Sequence, residues 1–566
     1  MAEKRVYAPG ESFRYELLIK RILEPGLSFA PRQEIVYRGR VRVTYRTLRE
    51  RIYRLAAGLE SLGIQKGDAV CVLDYDSHRY LECYFAVPMM GAVLHTQNWR
   101  FSLEQIVYTM NHAEDRIVLV HSDFVLLLEK IWDKLITVKK VVLLTDDGQK
   151  LPSKVPFDAE YEEMLASAAS GYEFPEFDEN TRATTFYTTG TTGLPKGVHF
   201  SHRQLVLHTQ AVLISLGTYE SIGRFRSNDV YMPITPMFHV HAWGFPYVAT
   251  LLGVKQVYPG RYEPEVLLKL ITEEKVTFSH CVPTILQMVV THPSVRKFDL
   301  SRWKVIVGGS RLPKGLARAA MDLGIQVCAA YGMSETCPFL SIANLKPWML
   351  PDPKEQQVDT LIKTGLPAPF VNLRVIDSQG KDLPHDGVAT GEVVVRAPWL
   401  TESYYKDPDR TKDLWIDGWL HTGDVGYIDP EGYLLITDRS KDVIKTGGEW
   451  VSSLDLENLL SQHPAVLEAA AIGIPDAKWG ERPFVLAVPR PEFKGKIMGE
   501  DLRQFLFGFA KEGKIPKYAV PDRIELVDAI PKTSVGKINK MEIRKAFSES
   551  SEEGKESGGG QARCNS

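Results

Sequence analysis

Long apolar runs, paired cysteines and an excess of either charge are all missing from this chain of 566 residues. The longest uncharged apolar stretch, FAVPMMGAVL from Phe85 to Leu94, falls well short of the ~18 residues a membrane span needs. The amino-terminal MAEKRVYAPGESFRYELL has no apolar core of the kind a secretory signal carries, so neither a signal peptide nor a transmembrane segment is expected, and a cytoplasmic protein is. Cys71, Cys83, Cys281, Cys328, Cys337 and Cys564 are scattered with no CxxC spacing, which argues against a disulfide framework and against a zinc site. A formal net charge of −3 excludes a nucleic-acid binder that works by counterion release, and equally a strongly acidic tail protein. No internal repeat and no Ser-His-Asp grouping is visible.

What remains is a composition that is 44% hydrophobic and 25% charged, which rules out disorder over most of the chain, and a length too great for one core. VRVTY alternates like a strand, and Thr44 then caps a predicted helix in which Leu48, Ile52, Leu55 and Leu59 recur at helical spacing until Gly63 stops it. DAVCVLDY, IVLVHS and KKVVLLTD are further short β runs separated by helical stretches, the alternation of an α/β fold with parallel sheets. After about residue 360 the pattern turns to short strands joined by Gly-, Asp- and Pro-rich turns, a β-rich subdomain. DRSKD (438–442) interrupts it with charge, and a small α+β unit follows. The tail from Ser548 is polar and Gly-rich and is expected to be disordered.

The most informative stretch is YTTGTTGLPKG, Tyr187 to Gly197. Glycines let the backbone turn tightly so that several N–H groups point at one anion, the threonine hydroxyls add donors, and Lys196 adds a positive charge. This is a phosphate cradle, but without the GxxxxGK[ST] spacing of a Walker A loop.

Here the sequence resembles the adenylate-forming superfamily of acyl-CoA synthetases, luciferases and peptide-synthetase adenylation domains. Further family motifs follow in family order: PMFHVHAWG (236–244), VGGSRLP (307–313), YGMSET (331–336), HTGD (421–424), DRSKDVIKTGGEWVSS (438–453) and PKTSVGKINK (531–540). The resemblance spans residues 30 to 548, and GGEWVSS and PMFHVHAW are most similar to the medium- and long-chain fatty acyl-CoA synthetases. It implies a large N-terminal adenylation domain (1–437) with mixed sheets and a β-rich subdomain, a hinge (438–442), a small mobile α+β domain (443–548) and the tail (549–566). The implied activity is an ATP-dependent fatty acid–CoA ligase that makes acyl-CoA, AMP and pyrophosphate through an acyl-adenylate. The alternatives are ligation of a short, branched or aryl acid, or acyl transfer to a carrier protein.

The resemblance also implies residue roles. Thr188, Thr189, Gly190, Thr191, Thr192, Gly193 and Lys196 are expected at the ATP phosphates, with Thr188 and Glu335 at Mg²⁺, an ion that takes oxygen ligands. Gly309, Ser310 and Tyr331 are expected to flank the adenine, with Tyr331 as a flat stacking face; Gly332, Met333 and Ser334 are expected among the ATP-binding residues, and Asp424 and Arg439 at the ribose. Lys537 is the expected catalytic ammonium, bridging the attacking carboxylate and the α-phosphate, and His239 borders the same groups. Asp438 is the expected pivot. Lys445, Gly447, Gly448 and Glu449 are expected at the coenzyme A tunnel, with Lys441, Lys445 and Trp450 as nucleotide contacts. Trp243 is the expected gate of the acyl pocket. No nucleic-acid partner is expected, and the long-chain branch implies a homodimer.

For the acid, His239 stands after Phe238 where amino-acid-activating relatives usually carry an Asp, so a buried substrate amine would lack its counter-charge. YGMSET has no Trp of the kind that fills acetyl-specific pockets, which leaves a deeper pocket. Each buried methylene is worth ~0.8 kcal/mol, so broad chain-length tolerance is expected, with medium, branched and long acids all open.

Overall fold

The computed structural model describes residues 10–149, 152–188, 194–447, 449–476 and 478–547. The expected first helix is present as Tyr45–Ser61, and the Thr44 hydroxyl accepts from Thr47 N–H at 3.2 Å to cap it. It buries Leu48, Ile52, Leu55 and Leu59 completely, each worth about 1.5–3 kcal/mol of transfer free energy. Arg51 on the same helix pairs at 2.6 Å with the fully buried Glu82 of the helix His78–Met89. The five described cysteines are buried free thiols. Among the described residues no helix is long and apolar enough to cross a membrane.

Two large sheets carry the N-terminal unit. A nine-stranded sheet runs in the order Leu366–Pro367, Phe339–Ile342, Gln326–Gly332, Lys304–Val307, Phe278–Cys281, Val230–Pro233, Lys255–Tyr258, Glu34–Tyr37, Val41–Thr44. Its centre is parallel and both edges are antiparallel. A seven-stranded sheet is ordered Ala159–Glu160, Lys140–Leu144, Asp115–His121, Ala69–Leu73, Val93–Thr96, Arg182–Thr188, Lys196–Ser201. All its pairs are parallel except the last, the antiparallel pair Arg182–Thr188 and Lys196–Ser201. The strands are short β-branched runs buried on both faces, as parallel sheets covered by helices require.

The β-rich part is a five-stranded sheet of Asn372–Ile376, Gly391–Arg396, Trp419–Ile428 and Trp415–Ile416, with Leu434–Arg439 also paired to Trp419–Ile428. Past residue 440 a separate five-stranded sheet is built on the long antiparallel pair Val466–Asp476 and Gly480–Pro489, backed by the helices Ser453–Leu460 and Gly499–Lys511 and holding its own core.

The C-terminal unit meets the large one through polar contacts. Arg311 pairs with Asp455 at 2.6 Å, Lys314 N–H donates to Asn458 Oδ1 at 2.9 Å, and Gly315 N–H donates to Ser461 Oγ at 3.2 Å. A Cβ at Gly315 would lie 1.9 Å from the Ser461 carbonyl oxygen. Gly315→Ala is therefore expected to part the two units, read as a larger radius of gyration in solution scattering and a loss of up to ~10²-fold in acid-dependent pyrophosphate exchange. An unchanged radius and rate would show that this contact is not needed for docking.

Candidate active site

Ligands of open α/β sheets sit outside the carboxyl ends of parallel strands, and the motifs singled out in the sequence lead there. Phe278–Cys281, Lys304–Val307 and Gln326–Gly332 end side by side, and Gly308, Gly309 and Tyr331 line a narrow cavity of about 40 Å³. Gly332, Met333, Ser334, His239 and Trp243 line it too, and Lys537 enters it from the C-terminal unit. Ser310, next on the turn, is exposed and is not part of this lining.

Lys537 reaches the cavity because its loop is held at several points. Its N–H donates to Thr533 Oγ1 at 3.1 Å, and Thr533 N–H donates back to its carbonyl at 2.7 Å. Arg100 donates to the Ser534 carbonyl at 2.9 Å, Asn98 to Ser534 Oγ at 3.1 Å, and Thr284 to the Gly536 carbonyl at 2.9 Å. Gly309, at φ +78°, makes room: a Cβ there would stand 3.2 Å from Lys537 Cε. Burial, with Arg439 nearby, lowers the Lys537 ammonium to about 8, while Asp424 and Glu335 act the other way. Burial, with Lys537 and Arg100 next, lowers His239 to about 3, so its imidazole is neutral at pH 7.

Acidic groups stand on the other side. Asp424, 3% exposed, accepts from the Tyr331 hydroxyl at 2.6 Å and pairs with Arg439 at 3.1 Å. Arg439 is held above its ordinary range by Asp424, burial working against it. Glu335, 8% exposed, accepts from the Tyr404 hydroxyl at 2.7 Å, and among the described residues its second oxygen takes no further hydrogen bond. Thr188 ends its strand opposite Lys196, and Lys196 Nζ lies 3.4 Å from the same Tyr404 hydroxyl. A carboxylate oxygen and a threonine hydroxyl are the hard donors that magnesium takes, so these residues fit the ion. Another cluster of potential ligands, Cys71, His95 and Asp115, is fully buried and includes a thiol. His95 Nδ1 there is hydrogen-bonded to Asp115 at 2.7 Å. The cradle residues Thr189, Gly190, Thr191, Thr192 and Gly193 lie outside the described residues, as does Gly448.

The wall beside Lys537 is unusual. Val240, His241, Ala242, Trp243 and Gly244 have φ of 47°, 55°, 47°, 58° and 74°, one continuous left-handed turn. For L-residues this costs about 1–2 kcal/mol each, and such strain persists where packing over-determines it. His241 and Ala242 are fully buried. Trp243 is packed so that a Cβ at Gly308 would stand 3.2 Å from its ring, and that ring lies 5.1 Å from His280. His241 sits among Tyr84, Phe186 and Phe200 rings.

Asp438 is 2% exposed and accepts from Ser453 N–H and Ser453 Oγ, both at 2.7 Å, at the start of Ser453–Leu460. Burial raises it, partly offset by Lys540. The hairpin Ile444–Thr446/Glu449–Val451 carries Lys445, Gly447, Glu449 and Trp450, all exposed, none lining the Lys537 cavity. Lys441 is exposed as well. A second cavity of about 500 Å³ opens behind Pro236, lined by Tyr75, Asp76, Trp99, Arg100, Arg261 and Tyr262 among others. Arg100, Asn98, Thr284 and Tyr404 belong to no motif singled out in the sequence, and their approach comes from chain segments far apart.

Residues 28–405 match the family described as AMP-binding enzyme, and residues 455–537 match the AMP-binding enzyme C-terminal domain. A long-chain-fatty-acid–CoA ligase of Thermus thermophilus is 41% identical over 95% of this chain and 97% of its own. A 3-methylmercaptopropionyl-CoA ligase of Ruegeria lacuscaerulensis is 38% identical over 95% and 98%. The crystal structure of an anthranilate CoA ligase in complex with anthranoyl-AMP superposes with a TM-score of 0.81, covering 96% of this chain and 99% of that one, at 24% identity, a likeness of fold.

Two outcomes are expected for Lys537. Lys537→Ala should slow acid-dependent pyrophosphate exchange by ~10²–10³-fold. Because the ammonium is lost as pH rises, the wild-type rate at low ATP should fall as pH passes through about 8. Lys537→Arg, which stays charged, should lack that limb in a pH–rate profile.

Proposed function

The chain belongs to the AMP-binding enzyme family, and we propose, for this AMP-forming acid–thiol ligase, how its own residues join a fatty acid to coenzyme A. The observation that carries the reading is the Lys537 ammonium, delivered by the small unit into a cleft lined by a neutral His239, with Asp424 and Glu335 near enough to act on its charge.

In the first half-reaction a carboxylate oxygen of the acid attacks the α-phosphorus, and the bond to pyrophosphate breaks, leaving acyl-adenylate. No enzyme nucleophile is required, so the work is positioning and charge stabilisation. Lys537 lies between the incoming carboxylate and the α-phosphate and stabilises the charge that builds there. Asp424 takes the ribose hydroxyls in exchange for the Tyr331 hydroxyl it now holds, with Arg439 beside it. Glu335 and the Thr188 hydroxyl would hold Mg²⁺, which would neutralise phosphate charge there. Neutral His239 borders the carboxylate without adding a competing positive charge.

In the second half-reaction the coenzyme A sulfur attacks the acyl carbon, the C–O bond to AMP breaks and the thiol proton goes to solvent. Asp438 is the pivot. Turning about it withdraws Lys537 and brings Lys445, Gly447 and Glu449 from their exposed hairpin toward the site. The second cavity, with Arg100 and Arg261 on its wall, is the approach for a substrate that carries phosphates. A cytoplasmic location suits the buried free thiols, and a homodimer is part of the same reading.

For the acid, Trp243 closes against Gly308. That contact favours an acid that stops short of the gate unless the ring swings aside, and it supports a second reading in which a shorter functionalised acid is the substrate. Pyrophosphate release measured over straight-chain acids from acetate upward, with and without coenzyme A, tests both. Turnover that needs coenzyme A and peaks at medium or long chains supports the fatty-acid reading, and Trp243→Ala should then move the peak by two or more carbons. A peak at three to five carbons would favour the second reading, and release without thioester would reopen the acceptor in favour of a carrier protein. Asp438→Pro should slow thioester formation more than pyrophosphate exchange; equal loss would count against the pivot.

A further inference from the structure

Lys196 and Glu335 form no direct ion pair; a tyrosine stands between them. Tyr404 is 5% exposed, and its hydroxyl donates to Glu335 Oε1 at 2.7 Å. Lys196 Nζ donates to the same phenol oxygen at 3.4 Å and stands 4.5 Å from the ring centre.

The segment that presents Tyr404 is strapped to both partners. Tyr404 bridges to Val198 and Tyr405 N–H donates to the Gly197 carbonyl at 2.8 Å, which fixes it on the second strand of the phosphate hairpin. Thr401 N–H donates to the Glu335 carbonyl at 2.9 Å, which fixes it on the carboxylate's own backbone. From behind, Tyr404 N–H donates to Thr411 Oγ1 at 3.0 Å in the helix Pro408–Leu414, and Arg410 of that helix reaches the Leu194 carbonyl at 3.3 Å. A ring needed only to fill space would be served by phenylalanine, since a buried hydroxyl without a partner costs free energy. Here the hydroxyl has two partners, one of each charge.

We propose that Tyr404 is a positioning residue of the phosphate and metal site: its hydroxyl takes Glu335 Oε1, turns Oε2 toward the divalent cation, and ties that orientation to Lys196. The proposal rests on the reading of Glu335 as the magnesium-side carboxylate. A carboxylate held by one strong donor has lost the rotation that would let both oxygens compete for the ion. Groups that orient a metal ligand in this way are typically worth 10–100-fold in metal affinity or activity.

The test uses Mn²⁺ as the probe ion with a non-hydrolysable ATP analogue, the free ion being followed by its electron paramagnetic resonance signal, on wild type, Tyr404→Phe, Tyr404→His and Glu335→Gln. Tyr404→Phe is expected to weaken Mn²⁺ binding about 10-fold or more, to raise the Mg²⁺ concentration for half-maximal pyrophosphate exchange by a similar factor, and to leave the KM for the acid unchanged. Tyr404→His, which keeps a ring N–H donor, should recover part of the loss. Glu335→Gln should weaken the ion at least as much as Tyr404→Phe. If Glu335→Gln weakens it and both Tyr404 variants bind as wild type does, the proposal is overturned while the reading of Glu335 stands. If Glu335→Gln binds Mn²⁺ as wild type does, that reading has failed and the proposal with it. A fall in kcat with an unchanged metal constant would mark Tyr404 as ordinary packing and also overturn the proposal.

Discussion

An ammonium held away from water has to be matched by nearby negative charge, and much of this structure serves that requirement. Lys537 enters a cleft whose walls would otherwise favour the neutral amine, and Asp424 and Glu335 work against that tendency. Arg439 competes with it for the same carboxylates, and Asp424 is shared between that guanidinium and the Tyr331 hydroxyl. The site is balanced for a visitor that brings several negative charges of its own. An anionic nucleotide would meet the positive groups already in place, and little reorganisation would be needed when charge moves during reaction.

The loop that carries this ammonium is continuous with a second buried pair. Lys540, three residues on, bonds Ser453 and pairs with Glu457 at 2.8 Å. Burial opposes its charge, but Glu457 and Asp438 outweigh that and hold it above its ordinary range. Asp438, Ser453, Lys540 and Glu457 therefore form one polar knot at the point where the chain passes between units. Breaking one member would leave an unpaired charge out of water, which typically costs 3–5 kcal/mol. The knot ties the loop that carries Lys537 to the start of Ser453–Leu460, apart from the polar contacts of Arg311, Lys314 and Gly315 between the units.

Much of this was legible in the sequence because it is local. The Thr44 cap, the Leu48–Leu59 stripe and the β runs before the large helices depend on neighbours a few residues away, and they stand where their periodicity puts them. Tyr331, Gly309 and Lys537 were legible for a different reason: each sits in a motif. What could not be read is what arises from distant approach. Arg100 lies 434 residues from the Ser534 carbonyl it holds, and Tyr404 lies 69 from Glu335. Neither residue type nor spacing advertises such a contact. Handedness was hidden too, since PMFHVHAWG contains no glycine before Gly244 to announce a left-handed turn.

That turn bears on how the protein can change over generations. Four side-chain-bearing residues in a row occupy a backbone region that tolerates few replacements, and Val240 is itself β-branched. A substitution between Val240 and Trp243 must be accommodated by this backbone before any effect on substrate choice can be selected. Heritable variation in the acids accepted would enter more readily at Ile306, Ala330 and Phe339, cavity-lining residues that lie on ordinary strands and can trade size one residue at a time.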